Sequence, residues 1–477
     1  MSGPFQFLMF SIVVILAYYA MGSGGWRRAV LQVANLCFLA TFFEGVRAYI
    51  PFAAFLILSY AGLRLIQWRP RPWFVPVLVT TIAGFIWLKK YAFLPSSIFI
   101  HTVYVTVGLS YILFRVLHLM IETRSGKLLE PVGLVSFFNY TTNFLTLVSG
   151  PIQMYPEYRA AEDPAARPRL SAKDVAEALE RIMRGLFKTN ILSLVLSTLQ
   201  AHMIQSATTS PMAGVKLMSG ALMFALFPLF IYSNFAGYID IVIGVGRLLG
   251  VTLPENFARP FSADNVIDFW SNRWHITLSG WLKTYVYNPL LLTLMRRFPS
   301  SGMASASAVL AFFVTFFLVG VWHGQTSEFI FCGFLLGLGV SVNKLYQLLV
   351  TARMGRKGYN ALSRNPLYIA LSRGLTFTWM AFTLIWFWSN WNQLRMIEAA
   401  LGARMLVAIW LAIFAGSTVL LAAWEEVYQR IVSAPWNGVP LLSLSLRTAW
   451  GTMLLVVIVA VNLLLNQPAP EIVYKSF

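Results

Sequence analysis

The feature that most constrains this chain is a succession of apolar runs, each about 17 to 25 residues long, the length a helix needs to cross about 30 Å of hydrocarbon. They fall at residues 5–22, 48–66, 73–92, 98–119, 186–205, 213–233, 305–325, 328–349, 367–390, 403–424 and 446–465. Backbone amides in lipid must be satisfied inside their own segment, so such runs fold as helices. Of the 477 residues, 58% are hydrophobic and 11% charged, an excess no soluble core requires. The expectation is an all-α, polytopic transmembrane protein. No long hydrophilic linker divides the chain, so a single domain over residues 1–477 is expected.

Charge decides what such a chain meets. The net charge of +18 would invite nucleic acid in a soluble protein, but here the cations sit in short connectors. Arg27 and Arg28, Arg69 and Arg71, Arg124 and Lys127, Arg296 and Arg297, and Arg353, Arg356 and Lys357 mark those connectors as cytoplasmic. The partner this implies is an anionic bilayer, with no nucleic acid, and the location a multi-pass place in the cytoplasmic (inner) membrane. The first run lacks a preceding basic residue and a clear small-residue cleavage site, so it is expected to be a retained span. Cys37 and Cys332 lie far apart inside apolar runs and are expected to be buried apolar residues, with no disulfide.

Three intervals resist in-and-out counting. Residues 171–188 predict a helix with a capping box at Ser171 and Asp174. Val175, Leu179, Ile182 and Leu186 share one face, so the helix is expected to lie along the cytoplasmic surface. Residues 131–152 carry Asn139, Thr141, Thr142 and Asn143 between basic flanks, which predicts a hairpin entering the membrane and returning. Residues 234–294 are too polar to cross once and too apolar for water. Irregular backbone at such depth needs protein or a hydrated cavity around it, so a central, partly hydrated cavity is expected.

The densest polar and aromatic cluster is PENFARPFSADNVIDFWSNRWHITLSGWLKTYVYNPL, residues 254–290. Pro254 to Pro260 predict an extended turn, and Asp264 is expected to cap a helix beginning near Val266. On that helix Asp268, Asn272 and His275 would share a face, with Phe269, Trp270 and Trp274 toward bilayer or core and Arg273 between. A second histidine, His323, stands in GVWHG, 320–324, at the end of the apolar run 309–319. An imidazole left unpaired in hydrocarbon costs about 1 to 3 kcal/mol, so something local must use that ring. No zinc-ligand spacing or H-E-x-x-H occurs and no metal is expected; no G-x-S-x-G elbow supports a serine nucleophile. GVGRLLG, 244–250, has the wrong spacing for a dinucleotide loop and supplies packing glycines. What remains is histidine as general base or proton shuttle, meeting its partner at one solvent-reachable depth. His118, with Arg115 and Glu122 on one helical face, predicts a buried polar network, and nothing local recommends His101 or His202.

FAGYIDIVIGVGRLLGVTLPENFARPF, DFWSNRWHITLSGWLKTYVYNPL and GVWHG together resemble the signature blocks of the membrane-bound O-acyltransferase family. VGLSYILFRVLHLMIETRSGK, LVSGPIQMYPEY and the tail VYKSF add weaker matches, so the likeness runs from about residue 107 to the C-terminus and centres on 107–350. The branches that acetylate alginate and export D-alanine to teichoic acids are both similar. The resemblance implies a ring of about eleven tilted spans, with re-entrant and interfacial helices, around a central funnel. It implies catalysis by His323 with His275 as second active-site histidine. Trp322, Trp274, Asn272, Arg273, Asp268, Asn256 and Asp240 would line the channel or support it. It implies no tightly bound cofactor; an acyl thioester, acyl-CoA or acyl carrier protein, serves as donor substrate. An extracytoplasmic acyltransferase or esterase-like partner and a cytoplasmic acyl carrier protein are the implied protein partners. Two blocks depart from the family pattern: Trp281-Leu282-Lys283-Thr284-Tyr285 lacks the usual acidic residue, and Leu291-Leu292-Thr293 replaces a glycine and arginine motif, as in the D-alanyl branch.

The expected activity is therefore acyl transfer, acetyl foremost, onto a hydroxyl of an envelope polysaccharide or partner protein. His323 would take the proton, and His275 would position or polarise the acyl carbonyl. The rival readings are D-alanyl transfer, a glycan or lipid transporter lined by histidine, Asp240 and Arg247, and a structural subunit that docks a soluble acyltransferase.

Overall fold

The computed structural model describes residues 3–42, 45–128, 130–162, 170–433, 435–436, 439–440 and 444–465. The tail motif VYKSF lies outside them. The secondary structure of the described residues is helical apart from a two-residue antiparallel pairing, Pro435–Trp436 with Val439–Pro440, and an isolated bridge of Phe257 with Trp274. Among these residues eight helices are long and apolar enough to cross a membrane: Val46–Trp68, Pro70–Leu88, Ala172–Thr209, Ala213–Leu248, Gly302–His323, Ser327–Leu362, Pro366–Phe387 and Trp391–Arg430. The chain is an all-α polytopic membrane protein.

Several boundaries differ from the sequence expectation. The run at 98–119 becomes helix only from Leu109, after an irregular stretch that ends at the left-handed Gly108. Helix Gly24–Ala40 was not anticipated, because Arg27, Arg28, Gln32 and Asn35 interrupt its apolar run. Cys37 on that helix is exposed, whereas Cys332 is buried. Helix Ala213–Leu248 continues well past residue 233, so the irregular interval begins only at 249. Its polar residues Asn234 and Asp240 are buried in protein, which is why they do not end it.

The chain divides into two compact units. The first comprises Met1–Thr189, Asn234–Pro254 and Leu454–Phe477. Here Arg115, 1% exposed, holds the 131–152 interval. Its Nη1 donates to the carbonyls of Tyr140 and Thr141 at 3.1 and 2.9 Å, and its Nη2 to the carbonyl and hydroxyl of Thr146 at 2.8 and 2.6 Å. His118 Nε2 accepts the Tyr155 N–H at 3.0 Å, and Glu122 pairs with Lys127. The only helix in that interval, Leu134–Thr141, has 8 residues. At 1.5 Å per residue it reaches about 12 Å, too little to cross a bilayer.

Helix Ala172–Phe187 starts with the expected reciprocal cap, Ser171 Oγ accepting from Asp174 N at 3.1 Å. It then runs through a π-helical turn, Lys188–Leu192, into Ser193–Thr209. Ala178, Ile182, Gly185 and Leu186 are buried, but Leu179 is exposed, so the buried face is rotated from the expected one. Gly185 and Gly237 approach so closely that a Cβ on either would fall within 2.8 Å of the other's carbonyl oxygen. That approach brings Arg181 Nε and Lys188 Nζ to the buried Asp240 carboxylate at 2.9 and 2.8 Å, with Arg184 Nε at 3.5 Å. Gly244 packs on Ile182 in the same seam, the packing role expected for GVGRLLG.

The second unit comprises Asn190–Ser233 and Glu255–Met453. Helix Ser301–His323 lies against Ser327–Leu362, with Gly320 and Gly333 in backbone contact; a Cβ on Gly320 would sit 2.1 Å from the Gly333 Cα. Helix Pro366–Thr383 meets Trp391–Ser433 where Gly374 faces Thr418. Left-handed Gly355 and Gly402 kink the two long helices.

Candidate functional site

The local sequence explains why the 254–290 cluster is not one helix. Asn256 and Phe257 run extended, and Phe257 bridges Trp274 in antiparallel fashion. The Ala258 N–H donates to Arg273 O at 2.9 Å, and the Ile276 N–H to Asn256 O at 3.0 Å. The helix that starts at Val266 is capped by Asn265, whose Oδ1 accepts from Asp268 N at 2.9 Å. Asp264, expected there, instead pairs with Arg373 at 3.0 Å. One turn later the segment becomes π-helical over Phe269–Arg273, and Trp274 leaves it in extended conformation.

The expected common face of Asp268, Asn272 and His275 is therefore absent. Asp268 binds its own neighbours, accepting from Asn272 Nδ2 at 2.9 Å and pairing with Arg273. His275 stands apart at φ 49°, ψ 50°, a left-handed residue preceding helix Ile276–Leu282. For a non-glycine residue that conformation costs about 1 to 3 kcal/mol and persists where surrounding contacts over-determine it. Those contacts are visible. Asn256 Oδ1 lies 3.2 Å from His275 Nδ1, 3.2 Å from Thr277 N and 2.8 Å from Thr277 Oγ1.

Trp274 and its neighbours wall this turn. Its indole stacks on Phe269 with centroids 5.4 Å apart and meets Phe257 edge-on at 5.2 Å. The sequence placed Phe269, Trp270 and Trp274 toward bilayer or core; all three are buried.

His323 arrives from the end of helix Ser301–His323. Trp322 touches both imidazoles, with ring centroids 6.1 Å from His275 and 4.8 Å from His323. Phe387 covers the His323 ring at 4.9 Å, and Phe329 backs Phe387 at 5.4 Å. Gly324 makes this possible, since a Cβ there would fall 2.0 Å from the Phe329 ring. The G-x-W-H-G spacing thus has two physical reasons: Gly320 admits the neighbouring helix, and Gly324 admits the aromatic support of the histidine.

Both imidazoles are buried, His275 at 1% and His323 at 0% exposure. The solvent-reachable pair expected from sequence is thus closed from solvent. Burial also holds the His275 imidazole down to about 3, so it is neutral at ordinary pH. A cavity of about 240 Å³ opens nearby, lined by Ser271, Ser279, Lys283, Tyr287, Thr315 and Phe316 among others. Phe316 in its wall packs on Trp270 at 6.0 Å, and Trp270 meets Trp274, the residue before His275, at 6.4 Å. Lys283, the neighbour of Thr284 where the family block usually carries its acidic residue, lines this cavity.

Asp240 lies in the first unit, in the ion cluster with Arg181, Arg184 and Lys188. Phe387 and Phe329 were missed in the sequence; as two phenylalanines among 37 they carry no local signal. Among the described residues no cluster of three or more His, Cys, Asp or Glu could hold a metal.

Fold and site together define an integral membrane protein with two buried imidazoles packed on one indole. The membrane-bound O-acyltransferase family model matches residues 55–382, and the chain belongs to that family. Its chemistry is O-acyl transfer. It is 26% identical over 347 residues to the teichoic acid D-alanyltransferase of Bacillus subtilis, covering 69% of this chain and 85% of the relative. To the probable alginate O-acetylase of Pseudomonas fluorescens it is 26% identical over 353 residues, 73% of this chain and 67% of that one. A 32% identity over 212 residues links it to the peptidoglycan O-acetyltransferase of Helicobacter pylori, over 43% and 37% of the two chains.

Proposed function

We propose that the chain transfers an acyl group, acetyl foremost, from a cytoplasmic thioester through the membrane to a hydroxyl of a cell-envelope polysaccharide or a partner protein. The observation that carries this reading is the meeting of two sequence-distant imidazoles, His275 and His323, on Trp322. In the reaction the acceptor oxygen attacks the thioester carbonyl, forming the ester C–O bond as the C–S bond breaks. The hydroxyl proton passes to His323 and from there to the departing thiolate. Trp274 and Trp322 keep bulk water from competing as the nucleophile. The donor is acyl-CoA or an acyl carrier protein, an extracytoplasmic acyltransferase or esterase-like protein is the partner, and the cytoplasmic membrane is the location. These three rest on the kind of reaction and on the relatives' names.

D-alanyl transfer is the second reading, favoured by the Leu291-Leu292-Thr293 continuation and by the Bacillus relative. Purified protein in liposomes, offered labelled acetyl-CoA or a D-alanyl carrier thioester with a glycan acceptor, separates the two. His323→Ala should lose about 10² to 10⁴ of the turnover, the usual worth of a general base, while the protein stays folded. Near-normal turnover in that variant rules out the assigned role, and glycan movement without thioester turnover favours a transporter.

A further inference from the structure

The turn around Asn256 assigns a proton. Thr277 N is a backbone amide and can only donate, so the Asn256 side-chain atom facing it, 3.2 Å away, is the oxygen. The Thr277 hydroxyl is directed at the same atom at 2.8 Å. His275 Nδ1 faces this oxygen at 3.2 Å, and a nitrogen lone pair there would oppose an oxygen lone pair. From this geometry we infer that Asn256 is a positioning residue that fixes His275 as the Nδ1–H tautomer, leaving Nε2 as the acceptor nitrogen turned to the reaction. The assignment rests on the reading that the His275 and His323 pair is the reaction centre.

The backbone supports the same role. Asn256 is fully buried, and its carbonyl accepts the Ile276 N–H at 3.0 Å, so main chain and side chain together grip the two residues that follow the histidine. The left-handed backbone of His275 then sets the direction of its ring. A neutral imidazole with Nδ1 protonated cannot donate from Nε2 to an acyl carbonyl. Its first act must be to accept, from the acceptor hydroxyl or from a proton relayed by His323. Once protonated, the ring is an imidazolium whose Nδ1–H still points at the Asn256 oxygen. Only then can Nε2–H polarise a carbonyl or return the proton to the departing sulfur. The carboxamide behind the ring thus orients it and stabilises its charged form, as the orienting group of a histidine-centred triad does.

The test needs no knowledge of the substrate. In ¹⁵N-histidine-labelled full-length protein, with the His275 signals assigned by their loss in His275→Gln, Nδ1 should be pyrrole-like and Nε2 pyridine-like near neutral pH. Asn256→Asp keeps an acceptor in place and adds a charge. It should preserve this tautomer and raise the His275 titration by about 1 to 3 pH units, moving the acidic limb of the thioester-turnover profile with it. Asn256→Leu should abolish the tautomer preference and lower kcat more than KM. A wild-type spectrum with Nε2 protonated overturns the assignment, as does an Asn256→Asp protein with unshifted titration. Failure of the acyl-transfer reading leaves a different trace, no thioester turnover by the wild-type protein while the His275 tautomer stays as assigned.

Discussion

Trp322 stands edge-on to His275 at 63°, and the same indole lies against the ring of the residue that follows it, His323. A single indole therefore packs against both imidazoles. Trp322→Phe retains a plate of smaller area and should leave the melting temperature nearly unchanged while lowering thioester turnover several-fold. Trp322→Ala should remove about 3 to 5 kcal/mol of stability, as other large aromatic truncations do. Detergent-solubilised thermal unfolding beside turnover distinguishes the two effects.

Gly324→Ala is expected to be costly although its backbone, at φ −167°, suits any residue. The new methyl meets the Phe329 ring at 2.0 Å, displacing the support of Phe387 and His323. Overpacking of this kind costs about 1 to 3 kcal/mol. Gly302→Ala, on the same helix with nothing within 4 Å, should be neutral or slightly stabilising, by about 1 kcal/mol at most. Equal melting temperatures for the two variants would refute this packing account.

Asp240 is a buried carboxylate facing three cations. Asp240→Ala leaves those charges without their counterion and should destabilise by about 3 to 5 kcal/mol. Arg184→Ala, whose side chain is 47% exposed, should cost no more than about 1 kcal/mol. Chemical unfolding of the two variants gives the comparison; a mild Asp240→Ala would mean that the cluster is not a stability element.

Stability should fall on acidification through His275. Its ring has a folded value near 3, against 6.5 for the free side chain. Between those values the unfolded chain binds the proton that the folded one refuses, so stability rises with pH across the window. The contribution is fully present above about 6.5 and is lost progressively as pH falls toward 3. His275→Gln, which cannot titrate, should flatten that part of the melting-temperature profile, and an unchanged slope would place the acid sensitivity elsewhere.

Arg115→Lys tests the clamp on residues 131–152. Four hydrogen bonds from one guanidinium cannot be reproduced by an ammonium with three donors. A loss of about 1 to 3 kcal/mol is expected, the cost of leaving buried acceptors unsatisfied, with faster amide exchange confined to that interval. Uniform exchange across the chain would argue against a local clamp.

The sequence carried the helical class because span length and apolar composition are local properties. Apolar runs near 48–66, 73–92, 305–325, 328–349 and 367–390 correspond to candidate spans. Where it erred, polar residues were judged without their partners. The residues from Asn234 on looked too polar to continue the 213–233 run, yet three cations from residues 181–188 pair with Asp240 and the helix runs on to Leu248. Conversely, 98–108 looked apolar enough to be helix but ends in a left-handed glycine.

The site divides along the same line. The residue types of W-H-G and W-H, and the capping box at Ser171, were fixed by short-range chemistry that a sequence states directly. The left-handed turn at His275, the grip of Asn256 upon it, the aromatic backing of His323 by Phe387 and Phe329, and the closure of both rings from water depend on side chains far apart along the chain. Only tertiary packing decides those contacts, because a proton position or a buried ring is set by the nearest atoms in space, and one-dimensional order does not say which atoms those are.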